Sequence, residues 1–142
     1  MSHVQRGVAT WFCCGDAYGP CGTTGHGKCG TCNSGSIQHA WPYVSPGCNY
    51  VGCGRTLQQY SCGIKQTIQN PCTSKSILAP VADCGPNMPL FCGDKKSDCA
   101  AYTDRIIDLT PAAFTALGVS LSAGKMSVVV TGVCICHPGC PC

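Results

Sequence analysis

The sequence contains no glutamate, and only 11% of its 142 residues are charged. Any carboxylate chemistry must therefore come from the six aspartates, which are Asp16, Asp83, Asp94, Asp98, Asp104 and Asp108. Basic residues are also sparse, since the longest basic run is Lys95-Lys96 and the net charge is +3. A nucleic-acid surface needs clustered Lys and Arg, so we expect no nucleic-acid partner. No apolar run approaches the roughly 18 residues of a membrane-spanning helix, so we expect no membrane span.

Cysteine is abundant: sixteen are present, an even number that allows every thiol to pair. Such a density in a short chain is typical of a disulfide scaffold in an oxidising compartment. The Cys29–Cys32 pair lies in a glycine-rich loop, and the tail spacing does not match a zinc finger, so we expect neither a metal site nor a cofactor. The residues predicted to form disulfides are Cys13, Cys14, Cys21, Cys29, Cys32, Cys48, Cys53, Cys62, Cys72, Cys84, Cys92, Cys99, Cys134, Cys136, Cys140 and Cys142.

The disulfides predict an extracellular or otherwise oxidising location, such as a cell or spore surface. Residues 1–6 nevertheless lack the apolar core of a signal peptide. Two interpretations stay open. The chain is either a mature secreted domain with a start methionine added for expression, or a protein that reaches an oxidising site without a signal.

Eighteen glycines and ten prolines favour short strands and tight turns over long helices. Apolar and β-branched residues predict strands at 4–12, 64–69, 76–82 and 126–133. Pro80 weakens the pairing of the third of these strands or places it at a sheet edge.

One short helix is predicted at about 111–117. Thr110 is a good N-cap, Pro111 suits the first helical position, and Gly118 can adopt the left-handed conformation that ends a helix. The segments 13–62 and 84–103 are cysteine-bearing loops. Together these features predict a single, mostly β domain over residues 1–142, with a cysteine-rich tail at 134–142.

Three segments in order resemble one family: GVATWF (7–12), PVADCGP (80–86) and DRIIDLTPAAFTALG (104–118). They are similar to the double-psi β-barrel shared by rare lipoprotein A, the first domain of expansins, barwin and the family-45 glycoside hydrolases. The resemblance implies a six-stranded barrel with one short helix. The long disulfide-stapled loops and the tail lie outside the match.

The resemblance also implies a groove that binds a polysaccharide. Its match to bacterial expansins places Thr10 there as a binding residue and Asp83 and Asp108 as candidate catalytic carboxylates. Both aspartates also have a structural interpretation. Asp83 is suited to capping the turn at Cys84-Gly85-Pro86, and Asp108, two residues before the N-cap, to satisfying exposed backbone N–H groups.

The chain departs from the catalytic members of this family. Phe12 stands where the glycoside hydrolases place an aspartate before a Cys-Cys pair, and the Glu and His of rare lipoprotein A enzymes fall near Ser36 and Gly54. We therefore expect binding to cell-wall glucan or peptidoglycan glycan without hydrolysis. If any catalysis exists, a weak lytic transglycosylase step with Asp83 as the single acid/base, or a glycosidase-like activity, demands least.

Aromatic residues offer a second kind of sugar contact. Trp41 and Tyr43 are predicted to form a stacking platform, because flat amphipathic rings at a loop surface suit sugar faces. The alternative is that they pack over the barrel. Trp11 lies in a predicted strand and is expected in the core.

Two further function classes stay open. In the first, the protein is a disulfide-crosslinked structural protein that self-assembles as a fibre, coat or appendage, with the cysteines of 134–142 bonding to other copies. In the second, it is a barwin-like defence protein or protease inhibitor that inserts a rigid loop from residues 33–60 into a protease cleft.

Overall fold

The computed structural model describes residues 2–15, 21 and 24–133. The tail cysteines, Cys134, Cys136, Cys140 and Cys142, and thus their predicted disulfides, lie outside this part of the chain. No helix within the described ranges is long and apolar enough to cross a membrane. The strands are β1 (Ser2–Trp11), β2 (Thr24–Gly27), β3 (Gly30–Asn33), β4 (His39–Trp41), β5 (Tyr43–Ser45), β6 (Cys48–Asn49), β7 (Tyr60–Ser61), β8 (Lys65–Asn70), β9 (Lys75–Cys84), β10 (Arg105–Leu109) and β11 (Met126–Val133).

Six of these strands close a barrel in the order β1-β10-β4-β9-β8-β11. The pairs β1–β10 and β4–β9 are parallel, and the other four pairs are antiparallel. The prediction of a mostly β, six-stranded barrel is therefore confirmed. The segment predicted as loop at 13–62 is more regular than expected, because it contains the β2–β3 hairpin, strand β4 and the small sheet β6-β5-β7.

Pro80 does not lie at a sheet edge, so that prediction is wrong. It sits inside β9, which pairs with β8 on one side and with β4 on the other. Proline lacks an N–H donor. Strand β4 begins to pair with β9 at Val81, one residue past the proline, so the missing donor falls just before that ladder.

The helix prediction is confirmed, with α1 at Pro111–Ala116. The side chain of Thr110 accepts a hydrogen bond from Ala113 N at 3.3 Å and so caps the first turn. Gly118 follows the helix with a φ of 85°. Phe114 and Leu117 are fully buried, so the helix packs its apolar side onto the barrel.

All twelve cysteines of the described part are paired, which confirms those predictions. The disulfides are Cys13–Cys21, Cys14–Cys32, Cys29–Cys62, Cys48–Cys84, Cys53–Cys92 and Cys72–Cys99. Cys29 and Cys32 thus join different partners rather than each other. Each bridge contributes about 2–4 kcal/mol, chiefly by restricting the unfolded chain. Six disulfides in one domain indicate an oxidising environment.

The loop between β9 and β10 is held against the barrel by ion pairs. Asp94 accepts from Arg105 Nη2 and from Lys125 Nζ, both at 2.7 Å. The hydrogen bond from Lys125 is the largest cause that lowers the pKa of Asp94. Arg105 also lies 3.8 Å over the ring of Phe91, so one guanidinium joins the loop by charge and by a cation–π contact.

His39 is fully buried in the barrel interior, where its Nε2 is hydrogen-bonded to Gln66 Oε1. Burial disfavours the charged ring and lowers the pKa of His39 from 6.5 to about 4. The unfolded chain therefore binds a proton between these two pH values that the folded chain does not bind.

We predict that the stability of the protein is complete above pH 6.5 and falls as the pH decreases to about 4. The total loss is about 3 kcal/mol, because one pKa unit corresponds to about 1.4 kcal/mol. Urea denaturation of the oxidised protein at several pH values measures it. His39→Asn should flatten the dependence in this window, whereas His26→Asn, at an exposed position, should not. An unchanged slope in His39→Asn would contradict this assignment.

Candidate functional site

A row of side chains crosses four neighbouring barrel strands. Thr10 on β1 is in register with Asp108 on β10, Asp108 with Ala40 on β4, and Ala40 with Asp83 on β9. Side chains opposite each other in a ladder project to the same face of a sheet. We call these four residues the Thr10–Asp83 row.

The two carboxylates of the row face each other across a small residue. Asp108 and Asp83 are separated by two strand spacings, or about 10 Å between Cα atoms. The residue in register between them is Ala40, whose small side chain is buried. The negative charge of Asp83 contributes to raising the pKa of Asp108, which agrees with a common face. Both side chains are half-buried, so each keeps some contact with solvent.

The carboxyl group of Asp108 has a raised pKa. Burial is the main cause that raises its pKa above the usual range. The hydroxyl of Thr10, itself buried, donates to Asp108 Oδ1 and opposes this shift, as does the charge of Arg105. Asp108 therefore retains its proton to a higher pH than an exposed aspartate, while Thr10 fixes its orientation.

Asp83 is held by the backbone. Its Oδ1 accepts hydrogen bonds from Cys84 N at 2.7 Å and from Lys28 N at 2.8 Å. The turn-capping interpretation of Asp83 is therefore correct as far as Cys84 is concerned. The bond to Lys28 adds a second constraint, since it ties the carboxylate to the turn of the β2–β3 hairpin.

The β2–β3 hairpin borders Asp83, and sequence reasoning missed it. A Cβ atom on Gly27 would lie 2.6 Å from Ala82 O and 2.9 Å from Asp83 Cγ, so only glycine allows this approach. Gly25, two residues earlier, packs in the same way against Gly15. The alternation of Gly25 and Gly27 is the signal that could have identified a strand lying flat on the barrel.

The similarity of this chain to known proteins is structural. No protein-family model matches the chain, and no curated protein sequence matches it. Among solved structures, the Streptomyces papain inhibitor superimposes with a TM-score of 0.53 at 21% identity, covering 92% of this chain and 96% of that chain. The expansin of Clavibacter michiganensis, in the apo form, gives a TM-score of 0.52 at 20% identity over 95% of this chain. The fold is a double-psi β-barrel.

The expansin matches differ from the inhibitor match in extent. This chain covers 52% of the apo expansin and 54% of a mutant Clavibacter michiganensis expansin in complex with cellohexaose. That complex has a TM-score of 0.51 and 20% identity over 96% of this chain. The chain therefore spans about half of the expansin and nearly all of the papain inhibitor.

The structure differs from the sequence-based predictions for two of three aromatic residues, Trp41 and Trp11. Trp41 is fully buried, and its Nε1 donates to Gln58 O at 2.9 Å, so it cannot stack on a sugar and that prediction is wrong. Strand β4 lies inside the barrel sheet, which turns Trp41 inward. Trp11, expected in the core, is only half-buried and donates from Nε1 to Leu121 O. Tyr43 is half-buried and its sugar-binding role stays a prediction.

The raised pKa of Asp108 gives a direct test of the row in the double-psi barrel. Asp83→Asn should lower the pKa of Asp108, because it removes a neighbouring negative charge. Thr10→Val should raise this pKa further, because it removes the hydroxyl donor. Carbon-13 NMR of the aspartate carboxyl groups over a pH titration measures both shifts. Thr67→Val, at an exposed position of β8, is the matched control. An unaltered Asp108 titration in Asp83→Asn would show that the two carboxylates do not share a face.

Proposed function

We propose that the protein binds a cell-wall polysaccharide, either a glucan or a peptidoglycan glycan, along the Thr10–Asp83 row in an extracellular or otherwise oxidising location. The observation that carries the proposal is the pair of half-buried carboxylates on either side of Ala40. Carboxylate oxygens accept hydrogen bonds from sugar hydroxyls, and charge-assisted bonds of this kind are stronger than neutral ones.

The fold comparison supports a polysaccharide ligand. An expansin with the same double-psi barrel has been solved in complex with cellohexaose, a glucan oligosaccharide. In this chain, Thr10 serves as the positioning residue, because its hydroxyl is committed to Asp108 Oδ1. Asp83 and Asp108 then make the direct contacts to sugar.

We propose binding without hydrolysis. Cleavage of a glycosidic bond by the common two-carboxyl mechanism requires a proton donor and a second carboxylate that activates water or attacks the sugar. Asp108, whose pKa is raised by burial, suits the role of proton donor. Asp83 is fixed by two backbone N–H groups, and this arrangement favours orientation over nucleophilic attack. Any residual catalysis would use Asp108 as the acid.

Binding to insoluble cellulose and to purified peptidoglycan tests the proposal. We expect the oxidised protein to bind at least one of them without releasing soluble sugars. Asp108→Asn and Asp83→Asn should each weaken binding about 10- to 160-fold, because a hydrogen bond to a charged group is worth about 1.5–3 kcal/mol. Both substitutions preserve side-chain size and one oxygen acceptor.

The control for these variants is Thr67→Val, which alters an exposed side chain outside the row and should bind like the parent protein. Circular dichroism confirms that each variant is folded. If the parent protein binds neither polymer, or if both aspartate variants bind as tightly as the parent, the glycan proposal is wrong.

A second function, inhibition of a papain-type cysteine protease, is favoured by the extent of the inhibitor match. The Streptomyces papain inhibitor and this chain superimpose over nearly their full lengths. An inhibitor must present a rigid surface that the protease does not deform. Disulfides supply such rigidity in the loops around residues 46–59, through Cys48–Cys84 and Cys53–Cys92.

Two exposed apolar side chains lie on neighbouring segments: Tyr50 in these loops, and Leu90 in the short 3-10 helix Met88–Phe91. Leu90 is 73% exposed and Tyr50 is 42% exposed. Met88 N donates to Tyr50 O at 3.2 Å, and Gly52 packs against the ring of Pro89, so the two segments are in contact. Apolar side chains this exposed, on a braced turn, are suited to filling an apolar protease subsite.

A titration of papain activity with the oxidised protein tests the second function. If inhibition occurs, Leu90→Ala and Tyr50→Ala should weaken it at least tenfold, since buried apolar anchors dominate such interfaces. Leu78→Ala is the matched control, because Leu78 is 58% exposed on the barrel wall. Undiminished papain activity at high inhibitor concentration would exclude papain as a target.

The self-assembly alternative now depends on the tail alone. Every cysteine of the described part is engaged in an intramolecular disulfide. An intermolecular disulfide would therefore have to involve the cysteines of residues 134–142. Non-reducing electrophoresis of the full chain tests this hypothesis directly.

A further inference from the structure

Three polar side chains in the barrel interior carry atoms that lack hydrogen-bond partners. Within the described part of the chain, His39 Nδ1, Gln66 Nε2 and the Tyr60 hydroxyl are buried without a hydrogen bond. An unpartnered buried polar group is costly, and native proteins almost always avoid it. Three such atoms in one place therefore require an explanation.

The three residues are neighbours. His39 Nε2 and Gln66 Oε1 are hydrogen-bonded. The Gln66 side chain also interacts with the Tyr60 hydroxyl, and the backbone carbonyl of Pro80 lies beside the His39 ring. The unpartnered atoms thus belong to one continuous cluster that reaches from β7 through β8 and β4 to β9.

We propose that these groups form a directed hydrogen-bond chain whose direction reverses when His39 takes up a proton. In the neutral state the Tyr60 hydroxyl donates to Gln66 Oε1, Gln66 Nε2 donates to His39 Nε2, and His39 Nδ1–H donates to the Pro80 carbonyl. A half-turn of the Gln66 amide, which exchanges its nitrogen and oxygen, produces this arrangement. It gives a partner to each of the three atoms.

The opposite direction is less favourable for the neutral ring. With Gln66 Oε1 facing His39, Nε2 must carry the hydrogen, and the lone pair of Nδ1 then faces the carbonyl of Pro80. The Tyr60 hydroxyl oxygen could then only accept from the Gln66 NH₂ group, and the hydroxyl hydrogen would have no acceptor in this cluster. Electrostatics and hydrogen-bond counting thus select the same tautomer, with the proton on Nδ1.

Protonation of the ring forces the reversal. A proton from solvent that binds Nε2 converts this atom from acceptor to donor, so the Gln66 amide must turn its oxygen toward His39. The Tyr60 hydroxyl then loses its acceptor. Burial lowers the pKa of His39, whereas the hydrogen bonds to Gln66 and to the Pro80 backbone raise it. Tyr60 is the other titratable residue of the hydrogen-bond chain.

The charged residues on the surrounding strands project away from the ring. Asp108 on β10 and Asp83 on β9 lie in the row with Ala40, whose side chain points opposite to that of His39. Lys65 on β8 is exposed, whereas Gln66 points inward. The switch therefore responds to proton concentration rather than to a neighbouring ion pair.

The hydrogen-bond chain couples the barrel to the β6-β5-β7 sheet. Tyr60 belongs to β7, and its hydroxyl reaches the backbone of β11, where a Cβ on Gly132 would lie 1.6 Å from the oxygen. Trp41 lies between the two ends, with its ring centroid 6.4 Å from that of His39 and 5.8 Å from that of Tyr60. Loss of the Tyr60 bond in acid should therefore loosen this sheet first.

Nitrogen-15 NMR of the histidine side chains in the full, oxidised chain tests the proposal. His39 is assigned by the signal that disappears in His39→Asn. At pH 7 we expect the Nδ1–H tautomer, with Nε2 unprotonated. A predominant Nε2–H tautomer would overturn the proposal.

Tyr60→Phe provides the second measurement. It removes the donor that holds the Gln66 oxygen away from His39, so the His39 tautomer should shift measurably toward Nε2–H. The matched control, Tyr43→Phe on the neighbouring strand β5, should leave the tautomer unchanged. An identical His39 signal in Tyr60→Phe and the parent protein would contradict the directed chain. These readouts involve neither glycan nor protease, so they are independent of both proposed functions.

Discussion

The register of the closed barrel is the constraint on which the rest of the structure depends. Strand β4 has only three residues, yet it joins β10 on one side to β9 on the other. A slip of one residue would exchange the inward His39 and the outward Ala40, and would destroy both the polar interior and the carboxylate row. The Cys48–Cys84 disulfide opposes such a slip, because Cys84 is the residue of β9 that pairs with Trp41.

The short β4 strand therefore serves two surfaces at once. Its inward residues, His39 and Trp41, contact each other and the interior polar cluster, while Ala40 lies in register between Asp108 and Asp83. Large inward side chains anchor the strand, and the small Ala40 separates the two carboxylates of the row. Burying the polar side chains of His39 and Gln66 costs free energy. The register of β4 that buries His39 is also the register that places Ala40 between the two aspartates.

The sequence predicted well those elements whose formation depends only on residues close by in the chain. Thr110, Pro111 and Gly118 defined the helix because capping acts over a single turn. The prediction that Asp83 and Asp108 share a site rested on the family resemblance alone. The two residues share a face only because β4, which is distant from both in sequence, pairs with the strands that carry them. The burial of Trp41 was missed for the same reason, because nothing in the local sequence of residues 40–43 indicates a central strand. Glycine was interpreted as a loop signal, which concealed the packing of Gly25 and Gly27.

The two proposed functional surfaces belong to one rigid frame. Asp83 ends the carboxylate row, and five residues later Met88 begins the turn that carries Leu90. Between them, Cys84 is bonded to Cys48, which precedes Tyr50 by two residues. A ligand on either surface therefore meets a backbone already ordered by disulfides, and little conformational entropy is lost on binding. The same stiffness limits coupling between the two proposed binding surfaces. A ligand on one surface can affect the other only by shifting an equilibrium between conformations, and a frame with one conformation has no such equilibrium. Only a second state, such as the one created by protonation of His39, could connect them.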